Sequence, residues 1–134
     1  MSTDSTDVNK WIRFAQMDFD SAVTLSEKFR PPLETACYLC QQTAEKILKA
    51  YIIAKTNALA EKTHNLKTLL KVCVPYCAEF DNFRTICDKL TPYITVTRYP
   101  SIIEPTEYDM KRAIKDANEI LEFTKSKLKD MGYE

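Results

Sequence analysis

Residues 33–56 read LETACYLCQQTAEKILKAYIIAKT. Leu33, Ala36, Cys37, Cys40, Ala44, Ile47, Leu48, Tyr51 and Ile52 recur at steps of three and four, so they share one face of a helix. The same spacing runs outward on both sides. Upstream, Val8, Trp11, Ile12, Ala15, Phe19, Ala22, Leu25 and Phe29 form a stripe that stops at Pro31-Pro32. Downstream, a polar connection leads to Thr63, an expected N-cap for a helix carrying Leu66, Leu69, Leu70 and Cys73. Pro75 ends or kinks that helix near Val74. Asp81 is the expected cap of a fourth helix with Phe83, Ile86, Cys87 and Leu90. After an irregular stretch from Thr95 to Pro105, Thr106 and Asp109 resemble a capping box. The stripe Met110, Ala113, Ile114, Ala117, Ile120, Leu121, Thr124 and Leu128 follows, and Gly132 fits its stop. The spacing therefore predicts five helices near residues 7–29, 33–56, 64–74, 82–94 and 106–131. Mostly short loops between them imply antiparallel neighbours in an all-α bundle.

Composition supports the same class. The 134 residues are one domain's worth, with an expected ordered core over about residues 8–131. Gly132 is the only glycine, which argues against glycine-rich phosphate loops and hairpin-rich β folds. Lys+Arg and Asp+Glu are 19 each, so the chain lacks the basic excess of a non-specific nucleic-acid or membrane binder. No apolar run approaches the roughly 20 residues of a membrane span. The polar, acidic start is unlike a signal peptide, so a cytoplasmic location is expected.

Several residues break the pattern. Asp18 lies in the sector of Trp11, Ala15, Ala22, Leu25 and Phe29. A carboxylate on a core-facing stripe needs a partner, so Asp18 is expected to be largely buried against Lys46, Lys49, His64 or Arg98. On the second helix, Gln42, Lys46 and Lys49 share one sector, with Glu45 beside it, opposite the apolar stripe. Periodicity alone reads this as an ordinary solvated face. The sharper alternative is a polar surface that meets a subunit, a phosphate or a base. The pairs Cys37–Cys40 and Cys73–Cys77 have a metal-like spacing, but three of the four lie on apolar stripes and are better read as small buried hydrophobes. No metal or cofactor is expected. His64 is the only histidine and stands at a helix start. Arg98-Tyr99-Pro100 lies in the irregular stretch, where the guanidinium could meet Asp18, Glu45 or an external phosphate.

Taken in order, Trp11-x3-Ala15-x2-Asp18-x3-Ala22, Gln42-x-Ala44-Glu45-Lys46-x2-Lys49-Ala50, Thr63-His64-x-Leu66 and Arg98-Tyr99-Pro100 resemble a HEPN domain. The name stands for "higher eukaryotes and prokaryotes nucleotide-binding". The resemblance covers about residues 8 to 130 and implies an up-and-down four-helix bundle with a fifth helix. It also implies frequent homodimers, and often a neighbouring minimal nucleotidyltransferase as partner in toxin–antitoxin pairs. The toxins of such pairs are metal-independent ribonucleases with an Arg-x4-6-His motif.

This chain departs from that motif. Arg98 is followed by Tyr99, Pro100, Ser101, Ile102, Ile103, Glu104 and Pro105, with no histidine anywhere downstream. Histidine is the side chain whose unperturbed pKa suits both taking and giving a proton near neutrality. The expected function is thus a non-catalytic binding module for a nucleotide or RNA, or for a nucleotidyltransferase subunit. Lys46, Lys49, His64, Arg98 and Tyr99 are the candidate phosphate or nucleotide contacts, and Asp18, Gln42 and Glu45 their polar partners. The alternatives are a ribonuclease toxin using Arg98 with His64, and a purely structural helical protein. Off-stripe Phe14, Met17, Ile102 and Ile103 add to the expectation of a homodimer.

Overall fold

The computed structural model describes residues 6–97 and 103–134. Arg98, Tyr99 and Ile102 lie outside the described residues. Five α-helices are present: α1 (Val8–Ser26), α2 (Leu33–Thr56), α3 (Leu66–Cys73), α4 (Arg84–Leu90) and α5 (Glu107–Asp130). Two 3-10 segments, Ala78–Phe83 and Thr91–Thr95, flank α4, and no strand occurs among the described residues. No helix among them is long and apolar enough to cross a membrane.

Local chemistry sets most helix ends. Asp7 caps α1 by accepting from the Lys10 backbone N–H at 3.2 Å. In α5 the reciprocal capping box is complete. Thr106 Oγ1 accepts from Asp109 N at 3.1 Å, and Asp109 Oδ2 accepts from Thr106 N at 2.9 Å. At its other end, Tyr133 N donates to the Leu128 carbonyl and Gly132 N to that of Lys129, with Gly132 at φ +96°. This pair of bonds is a Schellman stop, which needs the left-handed conformation that glycine adopts without penalty. Asn57 closes α2 in the same left-handed region, at φ 57°.

Three sequence expectations are corrected. First, α1 ends at Ser26, not residue 29, and Phe29 is 94% exposed. The ring of a helical Pro31 would clash with the carbonyl four residues earlier, and Pro31 restricts Arg30, so the register breaks before the prolines. Second, α3 is capped by Asn65, whose Oδ1 accepts from Lys67 N and Thr68 N, while Thr63 Oγ1 instead accepts from Asn65 N. Third, Asp81 is not the cap of α4. It lies in the preceding 3-10 segment and pairs with Arg84, and Pro92 falls in the second 3-10 segment.

The central element is α2, which packs against α1, α5, α3 and α4. Arg13 pairs with Glu134 and Gln16 with Lys125, so α1 and α5 run antiparallel. Ile47, Leu48 and Tyr51 of α2 meet Ile12, Leu69, Met110, Ile120 and Leu121 in one core. An aromatic cluster continues it: Tyr51 against Phe80 at 4.6 Å, and Phe123 against Phe80 and Phe83. Cys37, Cys40, Cys73 and Cys87 belong to the same core, and only Cys77 is partly exposed. Burial first, helped by nearby acidic groups, pushes the Cys37 thiol up to about 12. Burial does the same to Cys73 and Cys87, each to about 12. These thiols act as small hydrophobes. Among the described residues no cluster of three or more His, Cys, Asp or Glu is placed to hold a metal ion.

Candidate functional site

The polar sector of α2 is not an ordinary solvated face. Glu45 is only 5% exposed, Gln41 and Thr43 are fully buried, and Gln42, Lys46 and Lys49 are half-buried. The reason is the central position of α2. A helix with neighbours on several sides has little face left for water, whatever its hydropathy pattern.

Three donors converge on the buried Glu45 carboxylate. Lys49 Nζ donates to Oε2 at 3.0 Å, Gln41 Nε2 to Oε1 at 3.1 Å, and His64 Nδ1 lies 2.9 Å from Oε1. Burial alone would raise the Glu45 pKa. The His64 hydrogen bond, the Lys49 charge and the bonds from Gln41 and Lys49 outweigh it and hold the carboxyl below its ordinary value. An ionised carboxylate only accepts, so the proton sits on His64 Nδ1. The imidazole is 56% exposed, with its carboxylate partner behind it.

Gln41 ties this network to the chain leading into α3. Its Nε2 also donates to the His64 carbonyl at 3.0 Å, and its Oε1 accepts from Gln42 Nε2 at 2.7 Å. The backbone at His64 is thereby tied to the middle of α2.

One turn away, Lys46 Nζ meets Asp18 Oδ2 of α1 at 2.6 Å. Of the bases expected opposite Asp18, the structure places Lys46 there. The carboxylate is largely buried, as expected, though 19% of its side chain remains exposed. It lies where α1 faces the edge of α2, so water still reaches it. Lys46 Nζ also stands 5.9 Å from the Phe14 ring centroid, within cation–π range.

These residues surround a cleft of about 720 Å³. Trp11 and Phe14 of α1 form its apolar wall, Gln42, Glu45, Lys46 and Lys49 of α2 its polar wall, and Lys62 and His64 border it from the connection. That volume falls within the range of small-ligand sites, roughly 300–1,000 Å³. Aromatic faces can stack a base, and ammonium groups can bond phosphate oxygens.

The fold thus brings Lys46, Lys49 and His64 together with Asp18, Gln42 and Glu45. Arg98 and Tyr99 lie outside the described residues. Sequence reading overlooked Gln41 and Lys62. Gln41 had a signal: it falls at steps of four and three between Cys37, Ala44 and Leu48, a polar group on an apolar stripe. Lys62 had none, because it reaches the cleft only through the path of the connection.

A HEPN domain family model matches residues 8–128. Among solved structures, TT1696 from Thermus thermophilus superposes with a TM-score of 0.78 at 24% identity, over 92% of this chain and 99% of that one. ST0689, described as an archaeal HEPN homologue, gives a TM-score of 0.71 at 25% identity, over 90% and 96% of the two chains. No curated protein matches the chain. With the family model spanning nearly its whole length and the same bundle found in an archaeal HEPN homologue, the chain belongs to the HEPN domain family.

Proposed function

We propose that this protein is a non-catalytic HEPN binding module whose cleft takes a nucleotide, free or within RNA. The observation that carries this reading is the juxtaposition of Trp11 and Phe14 with Lys46, Lys49, Lys62 and His64 around one cleft. A base has an apolar face and a phosphate has acceptor oxygens, and each meets its complement there. The module works as a homodimer and with a minimal nucleotidyltransferase subunit, in the manner of a toxin–antitoxin pair. Met17 on α1, 59% exposed, is one apolar residue left for such contacts. Arg98 and Tyr99 contribute to phosphate binding in this reading.

Trp11 is the only tryptophan, so its fluorescence reports on the cleft directly. Titration with mononucleotides and short RNA should give saturable quenching, weakened by Lys46→Ala and Lys49→Ala. Unchanged emission with every nucleotide and RNA would refute the proposal. Light scattering at 15.5 kDa over a broad concentration range would count against the dimer.

One observation favours a second reading, a metal-independent ribonuclease using His64 and Arg98. Glu45 holds His64 Nδ1 as the carboxylate of a catalytic triad holds its imidazole. RNA cleavage in chelator that disappears in His64→Ala and Arg98→Ala would establish that activity in place of simple binding.

A further inference from the structure

Two buried carboxylates stand in contrast. Glu45 and Asp116 are each 5% exposed. Glu45 has Lys49, Gln41 and His64 around it, whereas Asp116 of α5 accepts no hydrogen bond from any described residue. The one cation within 4 Å of it among those residues is Arg112, whose Nε lies 3.8 Å from Oδ1, too far for a hydrogen bond. Burial therefore wins over the nearby charges of Arg112, Lys89 and Lys115 and, helped by Glu119, raises the Asp116 pKa above its ordinary value. A buried acceptor without donors costs free energy, so one retained in a fold calls for a reason.

The carboxylate is not sealed in protein. Thr124 Oγ1 is the only buried side-chain polar atom among the described residues that is both closed off and unbonded, so the unbonded Asp116 oxygens reach open space. That space is a cavity of about 280 Å³ between α4, the second 3-10 segment and α5. One water takes about 30 Å³ in the liquid and drug-sized ligands roughly 300–1,000 Å³, so the cavity has room for a small metabolite. Leu90 and the rings of Tyr93 and Tyr108 give it apolar walls, with Tyr108 69% exposed beside it. The exposed cations Lys89 and Arg112 stand at its rim. Asp109 also borders it, with one oxygen committed to the α5 capping box. A wholly anionic ligand would face Asp109 and Asp116, and a wholly cationic one Lys89 and Arg112. A zwitterion offers each its opposite.

We propose that this cavity is a second ligand site and that it takes a free α-amino acid with an apolar side chain. The ammonium donates to the Asp116 carboxylate and supplies the donors that the fold withholds. The ligand's carboxylate takes the Arg112 guanidinium, with Lys89 beside it. In a free amino acid these two groups stand on one carbon, which suits an acceptor and a donor 3.8 Å apart in the same cavity wall. The side chain lies against Leu90 and the tyrosine rings, out of water. A residue within a chain has lost both charges to peptide bonds, so the site reads the free molecule. The cavity shares no lining residue with the cleft, and takes its ligand whether or not the cleft binds a nucleotide.

The test is a nuclear magnetic resonance titration of the full chain at neutral pH with L-leucine and L-phenylalanine. At least one should shift the amides of residues 89–93 and 108–116 saturably. The N-acetyl derivative of the binder lacks the ammonium and its amide lacks the carboxylate, so each should bind weaker by about tenfold or more. Asp116→Asn keeps the shape and removes the charge. It should weaken binding by about tenfold or more, while the urea midpoint stays at or above that of the wild type because an unbonded buried charge is gone. Arg112→Gln, at an exposed position, should bring the amino acid and its amide to within about threefold of each other. No saturable shift in these segments with either amino acid, equal binding of the derivatives, or full affinity in Asp116→Asn would overturn the site. So would a lowered urea midpoint in Asp116→Asn, which would show that the carboxylate is bonded within the fold.

Discussion

Glu45→Ala should destabilise the protein by about 3–5 kcal/mol at pH 7, the cost of removing one partner of a buried ion pair. Glu45 is 5% exposed, and its loss would take from the Lys49 ammonium the carboxylate it pairs with on the wall of α2. Gln41 and His64 would lose their shared acceptor at Oε1 in the same step. Set against a typical domain stability of about 5–15 kcal/mol, this is a large fraction. Glu45→Gln keeps the shape and the Oε1 acceptor but not the charge. It should cost less, about 1.5–3 kcal/mol, the value of a hydrogen bond to a charged group. Urea unfolding followed by far-ultraviolet circular dichroism measures both.

Acidity provides an internal check on the same residue. Burial raises the Glu45 pKa, but the bonds and charges of His64, Lys49 and Gln41 bring it below the ordinary 4.5 in the folded protein. A carboxyl depressed by folding contributes stability that is complete above its unfolded value and is lost as pH falls through its folded one. Wild-type stability should therefore decline below about pH 4.5 with a component that Glu45→Gln lacks. A Glu45→Ala variant within about 0.5 kcal/mol of wild type, or a Gln variant with the wild-type acid profile, would show that the network does not hold this carboxylate as argued.

The other expectations concern separate parts of the fold. Asp18→Ala should cost about 1–2 kcal/mol in urea unfolding, between a surface pair and a sealed one, because the Lys46 and Asp18 side chains keep 23% and 19% of their surface in water; a cost above about 3 kcal/mol would mean that the pair is sealed from water. Thr106→Ala removes one arm of the α5 capping box and should lower stability by about 1 kcal/mol, with no change if water satisfies the Asp109 N–H equally well. An aromatic disulfide reagent should titrate Cys77 alone in the native protein and all five thiols after denaturation, since Cys37, Cys40, Cys73 and Cys87 are buried and protonated; rapid native reaction of two or more would contradict their place in the core.

Much of the bundle was legible along the chain because its determinants are local. The stripes of α2 and α5 depend on residues three and four apart, and those spacings hold in any helix of the same hand. The Thr106–Asp109 box and the Gly132 stop depend on groups within a single turn. Phe29 marks the limit of this reading. It continued the α1 stripe by count, yet the helix breaks before the prolines and the ring stands in solvent.

The site was decided by tertiary structure. A helical wheel assigns Glu45, Lys46 and Lys49 to a polar side, but whether that side meets water depends on how many elements pack around α2. The Asp18–Lys46 pair joins residues 28 apart, and the His64–Glu45 bond joins residues 19 apart. Neither separation has a helical period, so nothing in the local pattern chooses Lys46 over Lys49 or His64 for Asp18. Lys62 borders the cleft beside His64, whose backbone and imidazole Gln41 and Glu45 hold against α2. Periodicity says which way a side chain leaves its own helix. What it meets there is set by the packing of α1, α2 and the connection between α2 and α3, and that packing gathers the aromatic and charged residues around one cleft.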